Sequence, residues 1–448
     1  MRYTPHTLTD QELMLRAIGR ASVDELFEHI PLSLRERGKI NLPDGLTELA
    51  VSRRLSAMAA RNGNAADWSF FLGAGIYHHF IPSAVDATIS RSEFSTSYTP
   101  YQPEVSQGTL QALFEYQTLI CQLTGMEVSN AAVYDGASAA AEAVLMSRRI
   151  QPSTKRRVLV SRAIHPQYRA VIATYLKNLD DIRLEEVAFD QTGAIDLEAL
   201  SRQLDDQTMC VLTGYPNFFG VIEDLRTIKT ACAKVGAQLI SITTEPLAFG
   251  LLKPPGEFGV DIAAGEGQSL GVPMSLGGPA FGFFACQKKF VRNIPGRLVG
   301  ATVDSEGQRG FVLTLATREQ HIRREKATSN ICTSQTLCAL AATVYMALLG
   351  KSGLRRIAET NLARAHQARE QLIKQAGLEP VFSGPFFNEF VLRGKNLASR
   401  FIDCEKQKII PGIRLDAWYP ELRDSFLTCV TEMNEREEIE RLVRHCRG

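Results

Sequence analysis

The sequence predicts an α/β protein whose central sheet is mainly parallel. Between residues 157 and 286, short apolar runs alternate with helical ones, and the apolar runs have the length of buried strands. The helical run from Asp224 to Val235 is a crossover between two of these strands. Such alternation is typical of a sheet covered by helices on both faces. The predicted strands are Val158-Leu159-Val160, Cys210-Val211-Leu212, Leu239-Ile240-Ser241-Ile242 and Phe283-Phe284-Ala285.

Ahead of this sheet the chain is predicted to form a helical N-terminal arm. Thr9 with Glu12, and Ser22 with Glu25, have capping-box spacing, in which a hydroxyl and a carboxylate satisfy free N–H groups at a helix start. The helix after Ser22 has one apolar face, which suits a neighbouring subunit or the chain's own domain equally well. The predicted parts are the arm (1–90), a large α/β domain (91–350) and a small α+β C-terminal domain (351–448).

Composition and charge exclude several classes of function. The 448 residues include 50 Lys+Arg and 49 Asp+Glu, a net charge of +1 that gives no general attraction to nucleic acid or anionic lipid. The nine cysteines form no Cys-x-x-Cys pair, so they indicate neither a zinc cluster nor a disulfide framework. The longest apolar run, Thr336 to Gly350, is short for a membrane span. We expect a cytoplasmic protein without a membrane or nucleic-acid partner.

Adjacent histidines, His78 and His79, follow a glycine-rich turn. Neighbouring side chains on an extended segment point in opposite directions, so the two rings are poorly placed to bind one metal ion. We predict a structural or substrate-edge role for this pair and no metal site.

The stretch from Ser97 to Gly108 has the composition of a binding loop. It holds two tyrosines, two prolines, a carboxylate and two amides directly ahead of an apolar-periodic helix. Each proline fixes its own φ and makes the preceding residue extended, so the loop is stiff. A stiff segment rich in hydrogen-bonding groups suits a ligand, although such loops also serve as ordered connections.

Motifs along most of the chain resemble the pyridoxal-phosphate-dependent glycine decarboxylase family, the P-protein of the glycine cleavage system. The resemblance is to its N-terminal half; since this chain ends without the second half of fused members, it resembles the first subunit of a two-chain form. The motifs are Tyr98 to Gly108, Thr124-Gly125-Met126-Glu127, Tyr134-Asp135-Gly136-Ala137-Ser138, Tyr215-Pro216-Asn217, Gly277-Gly278-Pro279 and Arg318 to Thr333.

The resemblance implies a fold, a cofactor and partners. The fold is the fold type I, aspartate aminotransferase-like arrangement of pyridoxal-phosphate enzymes. The implied activity is the decarboxylation of glycine and transfer of the aminomethyl group to the lipoyl group of the H-protein. The implied partner is a homologous, lysine-bearing second subunit, in a dimer of heterodimers.

The residue that should bind the cofactor covalently is missing. A pyridoxal-phosphate enzyme needs a lysine for the Schiff base and an acid for the ring nitrogen. The family's lysine position corresponds here to Gln268, counting back from Pro273, or to Ser269, counting forward from Asp261, and neither side chain can form a Schiff base. The acid is displaced as well, since Thr243-Thr244-Glu245 follows the preceding strand. We therefore predict that the partner subunit holds the pyridoxal phosphate.

Two further positions are those at which family members carrying the cofactor contact it. The small residues of Tyr134 to Ser138 open a helix whose free N–H groups could cup a phosphate, or could serve only a tight helix entry. His165 has the place of a stacking aromatic ring, and without a cofactor it is expected to be structural.

In this fold family, active sites lie between subunits, so the chain can supply side chains to its partner's site. The candidates are Tyr98 and Tyr101, as donors to the glycine carboxylate or the cofactor, with Glu104 and Gln107 orienting them, and Gln102. A basic cluster in residues 318–330 suits either an anion or a subunit interface.

Two other functions remain open at this point. The chain could be a self-sufficient pyridoxal-phosphate enzyme that uses an unaligned lysine such as Lys326. It could also be a purely structural partner of the catalytic subunit.

Overall fold

The computed structural model describes residues 5–447, and the chain divides into two compact units, residues 1–63 and 64–448. The first unit contains three helices, and none of its residues from 5 to 63 is buried. Its helices are α1 (Leu8–Ala17), α2 (Leu32–Arg37) and α3 (Glu48–Ala59).

Both predicted capping boxes in this unit are wrong in detail. Helix α1 begins at Leu8, so Thr7 is its cap: the Thr7 hydroxyl accepts from the N–H of Asp10 at 3.2 Å, and the Asp10 carboxylate accepts from the N–H of Thr7 at 2.7 Å. Ser22 precedes a five-residue 3-10 helix and makes no side-chain cap. At α1 the reason is local, since the earlier pair of Thr7 and Asp10 has the same spacing and caps the helix instead.

The second unit holds the remaining helices and all fifteen strands of residues 5–447. Its helices are α4 (Ser83–Ile89), α5 (Ser92–Ser95), α6 (Gln107–Thr124), α7 (Gly136–Ile150), α8 (Pro166–Leu176), α9 (Leu197–Gln203), α10 (Leu225–Lys234), α11 (Gln320–Arg323), α12 (Thr336–Ala376), α13 (Leu397–Lys406) and α14 (Arg436–His445). Its strands are β1 (Ser69–Phe70), β2 (Val128–Ser129), β3 (Arg157–Ser161), β4 (Arg183–Val187), β5 (Thr208–Gly214), β6 (Gln238–Thr243), β7 (Ile262–Glu266), β8 (Gly282–Cys286), β9 (Leu298–Val303), β10 (Arg309–Thr314), β11 (Glu379–Pro380), β12 (Glu389–Arg393), β13 (Ile409–Ile410), β14 (Ile413–Arg414) and β15 (Ser425–Cys429).

The central sheet has seven strands in the order β2-β8-β7-β6-β5-β3-β4. Strands β3 to β7 pair in parallel, and β8 is antiparallel to both of its neighbours. Alternate residues of one strand reach opposite layers: Val158 and Val160 pack with helices α7 and α8, whereas Leu159 packs with α9 and α10. Both faces of the sheet are therefore buried, and the predicted two-sided, mainly parallel sheet is confirmed.

A smaller antiparallel sheet, in the order β11-β12-β15-β14, lies in the C-terminal part, and β9 and β10 form a separate hairpin. Together with α13 and α14, the small sheet gives that part an α+β character. The predicted bounds at residues 90 and 350 remain a prediction.

Helix α12 is long and apolar enough at its start to cross a membrane by composition alone. However, Gly350 has φ 57° and ψ −174°, which interrupts the helix. The apolar part before Gly350 is shorter than the roughly 20 residues that a span needs, and it supplies Ala339, Ala342 and Tyr345 to the core. Packing in the core accounts for its apolar composition.

Candidate functional site

Tyr101 is the predicted loop residue that the structure joins to a buried charged side chain. Its hydroxyl accepts a hydrogen bond from the guanidinium of Arg297 at 2.9 Å, and the guanidinium carbon lies 5.0 Å from the centre of the tyrosine ring. The ring of His321 packs edge-on at 5.8 Å between centres. Tyr101 nevertheless remains 50% exposed. Its hydroxyl is held in place while much of the side chain stays accessible.

Arg297 connects three segments of the chain. Its side chain is almost fully buried, and its guanidinium donates to the carbonyl of Cys332 at 2.7 Å and lies 3.5 Å from the hydroxyl of Thr333. The carboxylate of Glu319 is 4.0 Å from its Nε atom. Sequence reasoning missed Arg297 because its partners are distant in the chain. The one available signal was a charged residue directly before the apolar strand β9.

Gln107 has a different set of contacts from the one predicted. Its side-chain amide donates to the carbonyls of Pro103 and Phe311, at 2.7 and 2.9 Å, and its oxygen accepts from the N–H of Phe311 at 2.9 Å. These bonds join the start of α6 to strand β10. Gln107 therefore fixes the end of the loop to the hairpin, and orientation of the tyrosines by its side chain is not what the structure shows.

The other three loop candidates face solvent. Tyr98 is 84% exposed, and Gln102 and Glu104 are exposed as well. Within residues 5–447 their side chains form no hydrogen bond, so Glu104 does not orient a tyrosine there. Roles for them in a shared site, meaning an active site formed between two subunits, stay predictions.

The predicted basic cluster divides into a structural residue and a surface. Arg318 is buried and donates to the carbonyls of Ile294 and of Gly296, the latter at 3.2 Å. Burial lowers its pKa below the ordinary arginine value. The exposed members are His321, Arg323, Arg324 and Lys326.

At the position of the missing lysine, Gln268 forms a bridge inside the protein. Its side-chain oxygen accepts from the N–H of Tyr77 at 2.8 Å, and its nitrogen donates to the carbonyls of Tyr77, at 3.1 Å, and Val272, at 2.6 Å. Ser269 is also buried, and its hydroxyl lacks a hydrogen-bond partner among the described residues. The amide of Gln268 thus ties the glycine-rich segment around Tyr77 to the end of the sheet.

The helix start that could cup a phosphate is used by side chains of the chain itself. The N–H of Gly136, the first residue of α7, donates to the carboxylate of Glu266 at 3.0 Å. The N–H of Ser138 donates to the carboxylate of Asp135 at 2.7 Å. Of the two uses predicted for this helix start, these contacts fit the tight helix entry, because two carboxylates already accept from the N–H groups of Gly136 and Ser138.

His165 is buried and has a hydrogen-bond partner at each ring nitrogen. Its Nε2 lies 2.9 Å from the carbonyl of Ala74, and its Nδ1 accepts from the N–H of Gln167 at 3.2 Å. Burial lowers the pKa of His165 to about 4, so its ring is neutral. A Cβ at Gly75, whose φ is 98°, would lie 3.3 Å from the His165 ring. The segment Ala74-Gly75 therefore packs directly on it.

Tyr77 lies at the centre of a buried polar network that the sequence did not reveal. Its hydroxyl donates to Glu389 at 2.8 Å and lies 3.1 Å from the hydroxyl of Thr244. The other oxygen of Glu389 accepts from the N–H of Ala74 at 2.6 Å. Burial raises the pKa of Glu389 to about 7, although these hydrogen bonds act to lower it.

His79 sits between two carboxylates. Its Nε2 is 2.8 Å from Glu245 and its Nδ1 is 2.9 Å from Glu432. Burial alone would lower the pKa of His79, but the two carboxylates outweigh it and raise the pKa to about 10. The displaced acid after β6 therefore binds an imidazolium of its own chain. His78 is only half-buried, consistent with the predicted opposite directions of the pair.

These contacts do not fit a pyridoxal phosphate in this chain. The segment from Gly265 to Pro273 has no lysine. The helix start holds the carboxylate of Glu266, and the segment Ala74-Gly75 packs against the buried ring of His165. Gln268, the N–H of Gly136 and His165 each have hydrogen-bond partners within the chain.

Comparisons with known proteins place the chain among glycine-metabolising enzymes. Residues 1–445 match the family described as glycine cleavage system P-protein. A probable glycine dehydrogenase (decarboxylating) subunit 1 of Carboxydothermus hydrogenoformans is 49% identical over 445 residues, covering 99% of this chain and 98% of the relative. The protein so named in Anaeromyxobacter dehalogenans is 50% identical over 443 residues, covering 98% of each.

Solved structures agree. A glycine decarboxylase (P-protein) of the glycine cleavage system, solved in inhibitor-bound form, matches with a TM-score of 0.91 at 42% identity, covering 100% of this chain and 99% of that one. The sphingosine-1-phosphate lyase of Burkholderia pseudomallei matches with a TM-score of 0.65 at 13% identity over 93% of each chain, which shows the fold alone. The predicted fold type I arrangement is confirmed.

Proposed function

The chain belongs to the glycine cleavage system P-protein family, and on this premise we propose that it completes a glycine-decarboxylating site whose pyridoxal phosphate is held by a second subunit. The chain is one subunit of a glycine dehydrogenase (decarboxylating), and the designation of its relatives as subunit 1 implies a second one. We further propose glycine and the lipoylated H-protein as its substrates, a dimer of heterodimers as the assembly, and the cytoplasm as its location.

The observation that carries this proposal is the set of internal bonds at the cofactor position. Gln268 and Glu266 are both buried and hydrogen-bonded within the chain. A chain with this arrangement needs the cofactor of another subunit for the reaction of its family. This observation also counts against the self-sufficient enzyme that Lys326 would require.

Tyr101 is the residue through which this chain would act on the substrate. Because its oxygen accepts from Arg297, its own hydroxyl proton is free to be donated elsewhere. The positive charge of Arg297 makes that proton a better hydrogen-bond donor. A carboxylate, such as that of glycine, is the acceptor that such a hydroxyl binds best.

The first unit supports assembly with a partner. Many of its large apolar side chains have at least a third of their surface exposed, and none of residues 5–63 is buried. Short helices are marginally stable in water without packing of an apolar face. We propose that the second subunit covers these faces; they include Leu13, Ile18, Leu26, Phe27, Leu49 and Leu55.

The test is the absorbance spectrum and the glycine–bicarbonate exchange activity of this chain alone and mixed with the second subunit, with pyridoxal phosphate in both samples. We expect a colourless, inactive chain and full activity on mixing. Cofactor fixed to this chain alone by borohydride would show that the enzyme is self-sufficient.

Tyrosine variants separate a shared site from a purely structural role. Tyr98→Phe and Tyr101→Phe should reduce exchange while assembly stays intact. Tyr175→Phe, a partly exposed tyrosine on α8, is the matched control. Unchanged exchange in both loop variants would leave this chain a structural partner only.

A further inference from the structure

Four backbone N–H groups from three segments converge on the carboxylate of Glu266. One oxygen accepts from Gly267 at 3.1 Å, Gln268 at 3.2 Å and Phe281 at 3.1 Å. The other accepts from Gly136 at 3.0 Å, at the start of the 15-residue helix α7. The side chain is 4% exposed, and no salt bridge reaches it within residues 5–447. Hydrogen bonds from the backbone and the positive end of the helix dipole offset part of the cost of its burial, which raises the pKa of Glu266.

Two glycines let the surrounding segments pack closely around the carboxylate. A Cβ at Gly136 would lie 2.2 Å from the hydroxyl of Tyr168 and 2.7 Å from the N atom of Glu266. A Cβ at Gly267 would lie 2.2 Å from the ring of Phe281. Glycine at these positions lets three segments approach closely enough for their N–H groups to share one anion.

A buried hydroxyl without a partner borders the same place. Tyr116 is fully buried, and its hydroxyl has no hydrogen-bond partner among the described residues. Its ring packs edge-on against the ring of Phe281, at 6.1 Å between centres, and the N–H of Phe281 is one of the four donors to Glu266.

We infer that these N–H groups form an oxyanion site, that the chain occupies it permanently with its own Glu266, and that the site accepts a small carboxylate or inorganic phosphate when this side chain is removed. In the intact chain Glu266 excludes phosphate groups from the start of α7. This inference concerns the single chain and does not depend on the proposed function, because neither the second subunit nor activity enters its test.

The test is chemical rescue of the full-length Glu266→Ala variant at pH 8. The deleted atoms have the size of acetate, so sodium acetate is the first probe and inorganic phosphate the second, each against sodium chloride at the same ionic strength. Ligands that bind only the folded state raise the melting temperature. We expect a rise of about 1.5 °C over chloride when the probe is tenfold above its dissociation constant.

Glu266→Gln is the matched control, because its side chain fills the same volume and leaves no space for an ion. Acetate and phosphate should raise the melting temperature of this variant and of the unmodified chain only by their general salt effect, which is subtracted from the shift of Glu266→Ala. Equal shifts in all three proteins would mean non-specific salt stabilisation and would overturn the inference. If Glu266→Ala is unfolded in chloride, recovery of folded protein in acetate or phosphate supports the site, and no recovery in either overturns it.

Discussion

Replacement of Arg297 by lysine tests whether this buried residue acts through Tyr101. Lysine keeps the positive charge near Glu319 but has one compact ammonium group in place of a planar fork. Both the bond to Tyr101, at 2.9 Å, and the bond to the Cys332 carbonyl, at 2.7 Å, come from one terminal nitrogen of Arg297, and a lysine side chain ends one bond short of that atom. A hydrogen bond to a charged group contributes about 1.5–3 kcal/mol. Since Tyr101 is half-exposed and water can replace part of the loss, we take about 1.5 kcal/mol.

That energy corresponds to a loss of about tenfold in the exchange rate of the assembled enzyme, if the bond matters in the transition state. The decisive assay is a double-mutant cycle of Arg297→Lys and Tyr101→Phe in which the rate of glycine–bicarbonate exchange is measured for each variant. We expect the double variant to be about as slow as the slower single variant, with a coupling energy near 1.5 kcal/mol. Arg148→Lys, at the exposed ion pair with Asp181, should leave the rate unchanged. Additive losses within about 0.5 kcal/mol would refute the reasoning.

Three further outcomes are expected. Gln268→Lys should not give this chain the absorbance of a bound pyridoxal phosphate, because Glu266 still accepts from the helix start; a spectrum with a protein-bound imine would contradict this. Burial raises the pKa of Glu266 from 4.5 to about 7, so stability present at low pH is lost as pH rises through 7. In urea unfolding, the free energy of unfolding should fall by on the order of 2–3 kcal/mol between pH 5 and 8, and Glu266→Gln should lack this fall. Glu389→Gln serves as a comparison. Equal dependence of the unfolding free energy on pH in the unmodified chain and in Glu266→Gln would count against the prediction. Leu13→Asp with Leu55→Asp should weaken subunit association in sedimentation experiments, whereas Ser56→Asp should not.

The sheet was predictable from the sequence because its strands carry a local signal. Runs such as Val158 to Val160 are apolar at every position, as strands buried on both faces must be. The missing lysine was also visible, since it depends on residue identity within one segment. Fold and cofactor assignment both rested on patterns only a few residues long.

The buried network was not predictable, because its members are far apart in the chain. Tyr77 and Glu389 are 312 positions apart, and Tyr101 and Arg297 are 196 apart. Sequence periodicity does not predict such a contact. Nor does any local pattern predict which N–H groups donate to a single buried acid in an apolar strand, such as Glu266. The start of helix α1 was misplaced because its signal is local but ambiguous. Competing hydroxyl–carboxylate pairs with the same spacing lie within a few residues of each other there.

The segment from Gly73 to Phe80 also has a consequence for flexibility. It is bonded on one side to Gln268 of the large sheet, and on the other to Glu389 at the start of β12 and to Glu432 just after β15. A hinge motion between these two sheets would have to break several buried bonds at once, each contributing on the order of 1 kcal/mol or more. We therefore expect this subunit to keep one conformation throughout turnover, so that any closure around the substrate takes place in the other subunit.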